Sequence, residues 1–162
     1  MEEITKQKLE GMKQARRQFY KELKPVRCPA LENQQVHFTS DGFHHLIYDS
    51  NRSKRKKKEQ YLKLCFLKYA PGVIELSSTV QELRDITEVT GKPDKNGLRR
   101  TVKVRYWGFV CVTGPKCRVR VILRRVGENG QIHFWSVMPD WKTSRVGNQI
   151  IRVLADRDLN NA

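Results

Sequence analysis

Two periods divide the chain. Up to about residue 90 most apolar positions recur at helical spacing, and from Arg99 onward they alternate. Residues 2–24 predict a charged helix whose face is thin: Ile4, Leu9, Met12, Phe19 and Leu23. Such a helix either packs lightly on the rest of the chain or projects from it. Pro25 and Pro29 end it, and Pro25–Gln35 reads as a linker. Val36–Phe38 predicts a short strand, and Ser40 or Asp41 caps a helix starting near Gly42. In that helix Phe43, Leu46 and Ile47 form one apolar face. His45, Tyr48 and Arg52 fall opposite it, with His44 and Asp49 on the flanks. A strongly apolar second helix runs from Tyr61 to Lys68 and is closed by Pro71-Gly72. Val73–Leu76 reads as a short strand, Ser77–Thr90 as partly helical, and Gly91–Gly97 as a loop.

The alternating region predicts three strands, Thr101–Val112, Arg118–Arg125 and Gln131–Met138, joined by hairpin connections. One face would carry Val102, Val104, Tyr106, Val110, Val112, Val119, Val121, Leu123, Ile132, Phe134 and Met138 towards the helices. The other would carry Lys103, Arg105, Trp107, Arg118, Arg120, Arg124, His133 and Trp135. A last helix, Thr143–Asp156, is expected from Val146, Ile150, Ile151 and Leu154. The fold class is therefore α+β: a small antiparallel meander of three to four strands, helices on one face, and an N-terminal helical extension. Residues 1–30 form that extension and linker, and 31–162 the functional domain.

Charge narrows the class of partner. Lys and Arg number 32 against 17 Asp and Glu, a net charge of +15. A domain this basic is suited to a polyanion, because phosphate contacts release condensed counterions. An acidic protein or an anionic membrane surface would compete as explanations of that charge; no apolar run approaches the roughly 18–20 residues of a spanning helix, so membrane insertion is not expected and no membrane is assigned as partner. The N-terminus lacks the apolar segment of a secretory signal. Cys28, Cys65, Cys111 and Cys117 show no paired metal-ligand spacing, which suits reduced thiols in a cytoplasmic setting. Basic and aromatic side chains interleaved on the second sheet face suit unpaired RNA: guanidinium groups meet phosphates, and rings stack on bases. Lys56 and Lys57, in the basic run after the histidine helix, add to that surface.

Asp41, Asp49, Asp85 and Asp94 lie in separate elements, which argues against two-metal nuclease chemistry. Neither a Walker-type loop nor an HExxH motif is present. Metal-free RNA cleavage needs less: a base for the 2′-hydroxyl, an acid for the leaving oxygen, and cations for the phosphate.

Gly42-x-x-His45-Leu46 at a helix start, His133-Phe134-Trp135-Ser136-Val137-Met138-Pro139 on the last strand, and the order of elements resemble a known superfamily. It groups barnase, EndoU, colicin ribonucleases and RelE-like nucleases, and the phage- and toxin-associated branch is most similar. The resemblance spans roughly Gln35–Trp141. It implies a metal-independent endoribonuclease without cofactor, acting on tRNA, messenger or ribosome-bound RNA and held in check by an acidic antitoxin or immunity protein. On that resemblance His45 is the general base or acid, with His44 beside it as the alternative. Arg52 clamps phosphate, Arg105 and Arg120 supply transition-state charge, and Ser136 matches a last-strand hydroxyl. By strict alternation Ser136 points to the core with Ile132 and Phe134. Either a bulge re-aims it, or His133 or Trp135 takes its place. Two other functions fit the same residues: a non-catalytic RNA-binding module using the Arg and Trp face, and a basic domain for an acidic protein.

Overall fold

The computed structural model describes residues 3–114, 117–140, 142–146 and 149–153. Helix α1 (Lys6–Glu22) is capped by Thr5, whose hydroxyl accepts the Lys8 amide proton at 3.2 Å. Of the two arrangements its thin apolar face allowed, packing on the domain is the one found. Leu9 and Tyr20 are buried, and the Tyr20 ring meets Phe38, Phe43 and Phe134 at 5.8, 5.4 and 6.0 Å. The Tyr20 hydroxyl donates to the Thr39 carbonyl at 2.7 Å.

The stretch expected as a linker is a hairpin instead. Strands β1 (Val26–Cys28) and β2 (Gln34–Val36) pair antiparallel around a 3-10 turn at Pro29–Leu31. Helices α2 (Ser40–Ile47), α3 (Lys57–Phe66) and α4 (Ala70–Leu76) follow. Pro71 does not close the second helix. It lies in the first turn of α4, where a missing amide proton costs nothing, and Val73–Leu76 is helical rather than extended.

Strands β3 (Glu82–Thr90), β4 (Arg100–Gly114), β5 (Cys117–Val126) and β6 (His133–Pro139) form one antiparallel sheet in that order. The meander is as the alternation predicted, with β3 added where partial helix was expected. Leu83 and Ile86 do share helical spacing. The β-branched run Ile86, Thr87, Val89 and Thr90 favours the extended state, and nine residues pair with β4. The expected last helix is likewise a pair of strands, β7 (Lys142–Val146) and β8 (Gln149–Val153). Gly-Asn is a dipeptide favoured in hairpin connections, and the sequence carries it between the two apolar runs Val146 and Ile150-Ile151, a signal that outweighs the helical spacing. Residues 147, 148 and 154–156 of that expected helix lie outside the described residues.

The sheet faces also differ from expectation. Trp107 and Phe109 are buried with Val119, Val121, Leu123 and Phe134 in the core beneath the helices. Val104, Tyr106 and Ile122 form a smaller cluster with Ile86, Val102, Trp135 and Met138, and Val112 is exposed. Trp107 therefore belongs to the core, not to an open binding face. Residues 106–110 are apolar at both parities, so alternation cannot choose between their faces.

A bulge settles Ser136. Ile122 pairs with Ser136 and Leu123 with Phe134, leaving Trp135 as the extra residue of β6. The register places Ser136 with Ile122, on the parity of Arg120, rather than with Phe134. Along the outer side of β6, His37 bridges His133 in parallel. Helix α2 packs against the same strand through Gly42. A Cβ there would lie 2.3 Å from the Phe134 carbonyl oxygen and 2.7 Å from the Tyr20 hydroxyl. The four cysteines are free thiols. Among the described residues no helix is long and apolar enough to cross a membrane.

Candidate functional site

The close approach of α2 to β6 brings the two histidines to opposite environments. His44 is exposed, and its ring stacks on Tyr48 one turn later at 4.4 Å. His45 does not sit on a solvated face: it is 2 % exposed. Trp135 stacks on it at 4.0 Å with 20° between the planes. The bulge that makes Trp135 the extra residue of β6 is also where this ring meets α2.

Arg55 fixes the state of His45. Its Nη2 lies 3.0 Å from His45 Nε2. A guanidinium has no acceptor, so Nε2 must accept and the ring proton sits on Nδ1. The same side chain donates from Nε to the carbonyls of His45 at 3.0 Å and Tyr48 at 3.2 Å, and Nη1 pairs with Glu59. Arg55 thereby ties the end of α2 to the start of α3.

Behind His45 lies a buried ionic cluster. Lys63 Nζ donates to Ser136 Oγ at 2.9 Å, and Arg120 Nη2 pairs with Glu82 at 2.5 Å. Arg55, Lys63, Arg120 and Ser136 are all buried. Burial, and then the nearby Arg55 charge, holds the Lys63 amine well below the usual lysine range. Gathering three basic side chains away from water costs stability that an apolar core would not lose, and such clusters are concentrated at functional sites.

A groove of about 470 Å³ opens beside the His45–Trp135 pair, lined by His44, His45, Arg52, Arg124 and Trp135 together with Asp41, Asp49 and Ser50. Arg52 stands on a turn built by Asp49, whose carboxylate accepts the amide protons of Asn51 at 2.9 Å and Ser53 at 2.8 Å. Its backbone is left-handed, with φ 62°, a conformation costly for a side chain of this kind. Arg124 lies 4.4 Å over the Trp135 ring and is held by Glu88 at 2.9 Å and the Tyr106 hydroxyl at 3.2 Å. Burial, the largest cause, pushes the Tyr106 hydroxyl up to about 12. Trp135 Nε1 and His133 Nε2, both buried, have no hydrogen-bond partner among the described residues.

The structure thus gathers five of the expected site residues: His44, His45, Arg52, Arg124 and Trp135. Of these, Trp135 is already covered by His45 and Arg124, so it is not an open platform for a base. Ser136 and Arg120 lie behind the groove, engaged with Lys63 and Glu82. His133 is buried edge-on to Trp135 at 6.2 Å. Others lie elsewhere. Arg105 makes two bonds to Asp85 at 2.6 and 2.7 Å, and Arg118 pairs with Asp140 at 3.1 Å. Trp107 is in the core, and Lys56 and Lys57 are exposed at the start of α3.

Arg55 and Lys63 were not singled out by the sequence reading. A signal for Lys63 exists: Gln60, Lys63, Leu64 and Leu67 follow the buried spacing of α3, so two polar residues occupy core positions. Among the described residues no group of three or more His, Cys, Asp or Glu side chains is arranged to hold a metal ion. Comparison with protein-family models, curated proteins and solved structures finds no match.

Proposed function

We propose that the protein is a metal-independent endoribonuclease that binds single-stranded RNA in this groove and leaves a 2′,3′-cyclic phosphate. One observation carries the reading: an exposed imidazole, His44, shares a groove with Arg52 and Arg124 in a chain of net charge +15. His44 takes the 2′-hydroxyl proton and returns one to the leaving 5′-oxygen. Arg52 and Arg124 neutralise the phosphate as charge builds on it. His45, with Nε2 occupied by Arg55, is a positioning residue that fixes Trp135 and the end of α2. Behind it lie the buried guanidinium groups of Arg55 and Arg120, each paired with a carboxylate.

The resemblance to barnase, EndoU, colicin and RelE-like nucleases points the same way, and with it an acidic antitoxin or immunity protein as partner in a cytoplasmic setting. His44→Ala should keep its fold and RNA affinity while losing cleavage by about 10²–10⁴-fold, the scale of a general acid–base group. Cleavage at the wild-type rate in that variant refutes the assignment.

A non-catalytic RNA-binding module is the second reading. It is favoured by one observation: the Ser136 hydroxyl and His45 Nε2 are both engaged internally, leaving His44 as the exposed imidazole in the groove. It predicts salt-sensitive RNA binding without strand scission.

A further inference from the structure

On the other side of α2 a second and larger pocket, about 700 Å³, runs between α1 and α2. Asp41 and His44 line both spaces, so the first turns of α2 form the ridge between them. The ring pair His44–Tyr48 stands on that ridge, and Phe43 lines the second pocket with the Arg17 guanidinium 5.4 Å over its ring. Lys21 and Lys54, both exposed, close its rim. Glu10, a carboxylate of the same pocket, is paired with Lys13 at 2.9 Å. Aromatic rings under a cationic rim are the chemistry of single-strand binding: the rings take bases and the cations follow the phosphates.

We propose that this pocket is a second nucleotide subsite. It receives a flanking nucleotide of the same RNA strand that lies in the groove, with its base against the Tyr48 ring and its phosphates near Lys21 and Lys54. The inference rests on the RNA reading above and extends it: the preferred ligand is an oligonucleotide long enough to cross α2, not a single dinucleotide step. It also gives α1 a role, because that helix supplies one wall of the pocket.

The test uses 2′-fluoro oligonucleotides, which lack the nucleophilic hydroxyl and so report binding alone. Fluorescence anisotropy would compare a trinucleotide with a decanucleotide on the wild type, on Lys21→Gln/Lys54→Gln, and on Lys92→Gln/Lys95→Gln. The last pair removes the same charge from the exposed loop between β3 and β4. The expected result is a loss of about tenfold for the decanucleotide in the first variant only, with trinucleotide binding unchanged. The slope of log affinity on log salt should fall by about 1.4, the share of two phosphates on a single strand. An unchanged decanucleotide affinity, or an equal loss in the Lys92/Lys95 variant, overturns the subsite while leaving the groove reading intact. A wild type that binds neither oligonucleotide overturns the RNA reading itself.

Discussion

The Lys63–Ser136 contact offers a direct way to ask whether the buried cluster serves function or fold. Ser136→Ala removes the acceptor of a 2.9 Å bond and leaves a buried amine without it. That should cost about 1–3 kcal/mol. Lys63→Met/Ser136→Ala removes both partners and fills the space with apolar atoms of similar volume. It also withdraws one basic group from beside Arg55 and Arg120. Replacing buried ionic groups in this way is neutral or stabilising by about 1–4 kcal/mol. The double variant should therefore be at least as stable as the wild type, although it carries the harmful single change. Urea unfolding with an unchanged m value would measure this. The pH dependence supplies a second reading. Lys63 titrates lower in the native state than its ordinary 10.5, so between those two values the unfolded chain binds more protons. Wild-type stability then rises with pH across that window, by up to about 1.4 kcal/mol per pH unit. The double variant should lose that slope. A double variant less stable than the wild type by more than about 2 kcal/mol would show the cluster to be a structural support, and the reasoning would fail.

Three further outcomes follow from particular contacts. Gly42→Ala forces a methyl group to within 2.3 Å of the Phe134 carbonyl. It should lower stability by about 1–3 kcal/mol and shift α2 off β6, read as a lower thermal midpoint together with lost activity. Arg52→Gly removes a side chain from a left-handed position, φ 62°. Stability should stay equal or rise by up to about 1 kcal/mol, while cleavage drops at least tenfold; a large loss of stability would contradict this. Burial holds the His133 ring below its usual 6.5. The unfolded chain therefore takes up a proton first as pH falls, and stability declines below pH 6.5 by up to about 1.4 kcal/mol per unit. His133→Gln should flatten that decline in urea midpoints taken between pH 7 and 5, and an unaltered slope would refute the cause.

Much of this architecture is legible in the alternation and in the punctuation of the chain. The three hairpin-linked strands, the apolar stripe Phe43, Leu46 and Ile47, and the helical character of the first 24 residues all follow from spacing alone. Errors fell where two periods coincide. Leu83 and Ile86 share helical spacing yet lie on an edge strand, and the same ambiguity turned β7 and β8 into an expected helix. The run Tyr106–Val110 has no polar parity, so Trp107 was assigned to the wrong face. The site was half visible. Gly42 and His45 were singled out by motif, and the 2.3 Å approach to Phe134 explains why glycine stands there. What the sequence could not reveal was that His45, across the helix from the apolar stripe of α2, is buried as well. That depends on a one-residue bulge at Trp135 and on Arg55 reaching back across the turn, both of which are tertiary facts. Gln60 and Lys63 at core positions of α3 were the available signs.

The most direct test of the central claim is to incubate the purified protein with total RNA in excess EDTA and analyse the fragment ends. The account predicts discrete fragments ending in 2′,3′-cyclic phosphate, absent with His44→Ala. Intact RNA that is shifted in mobility would contradict the nuclease and leave the binding module.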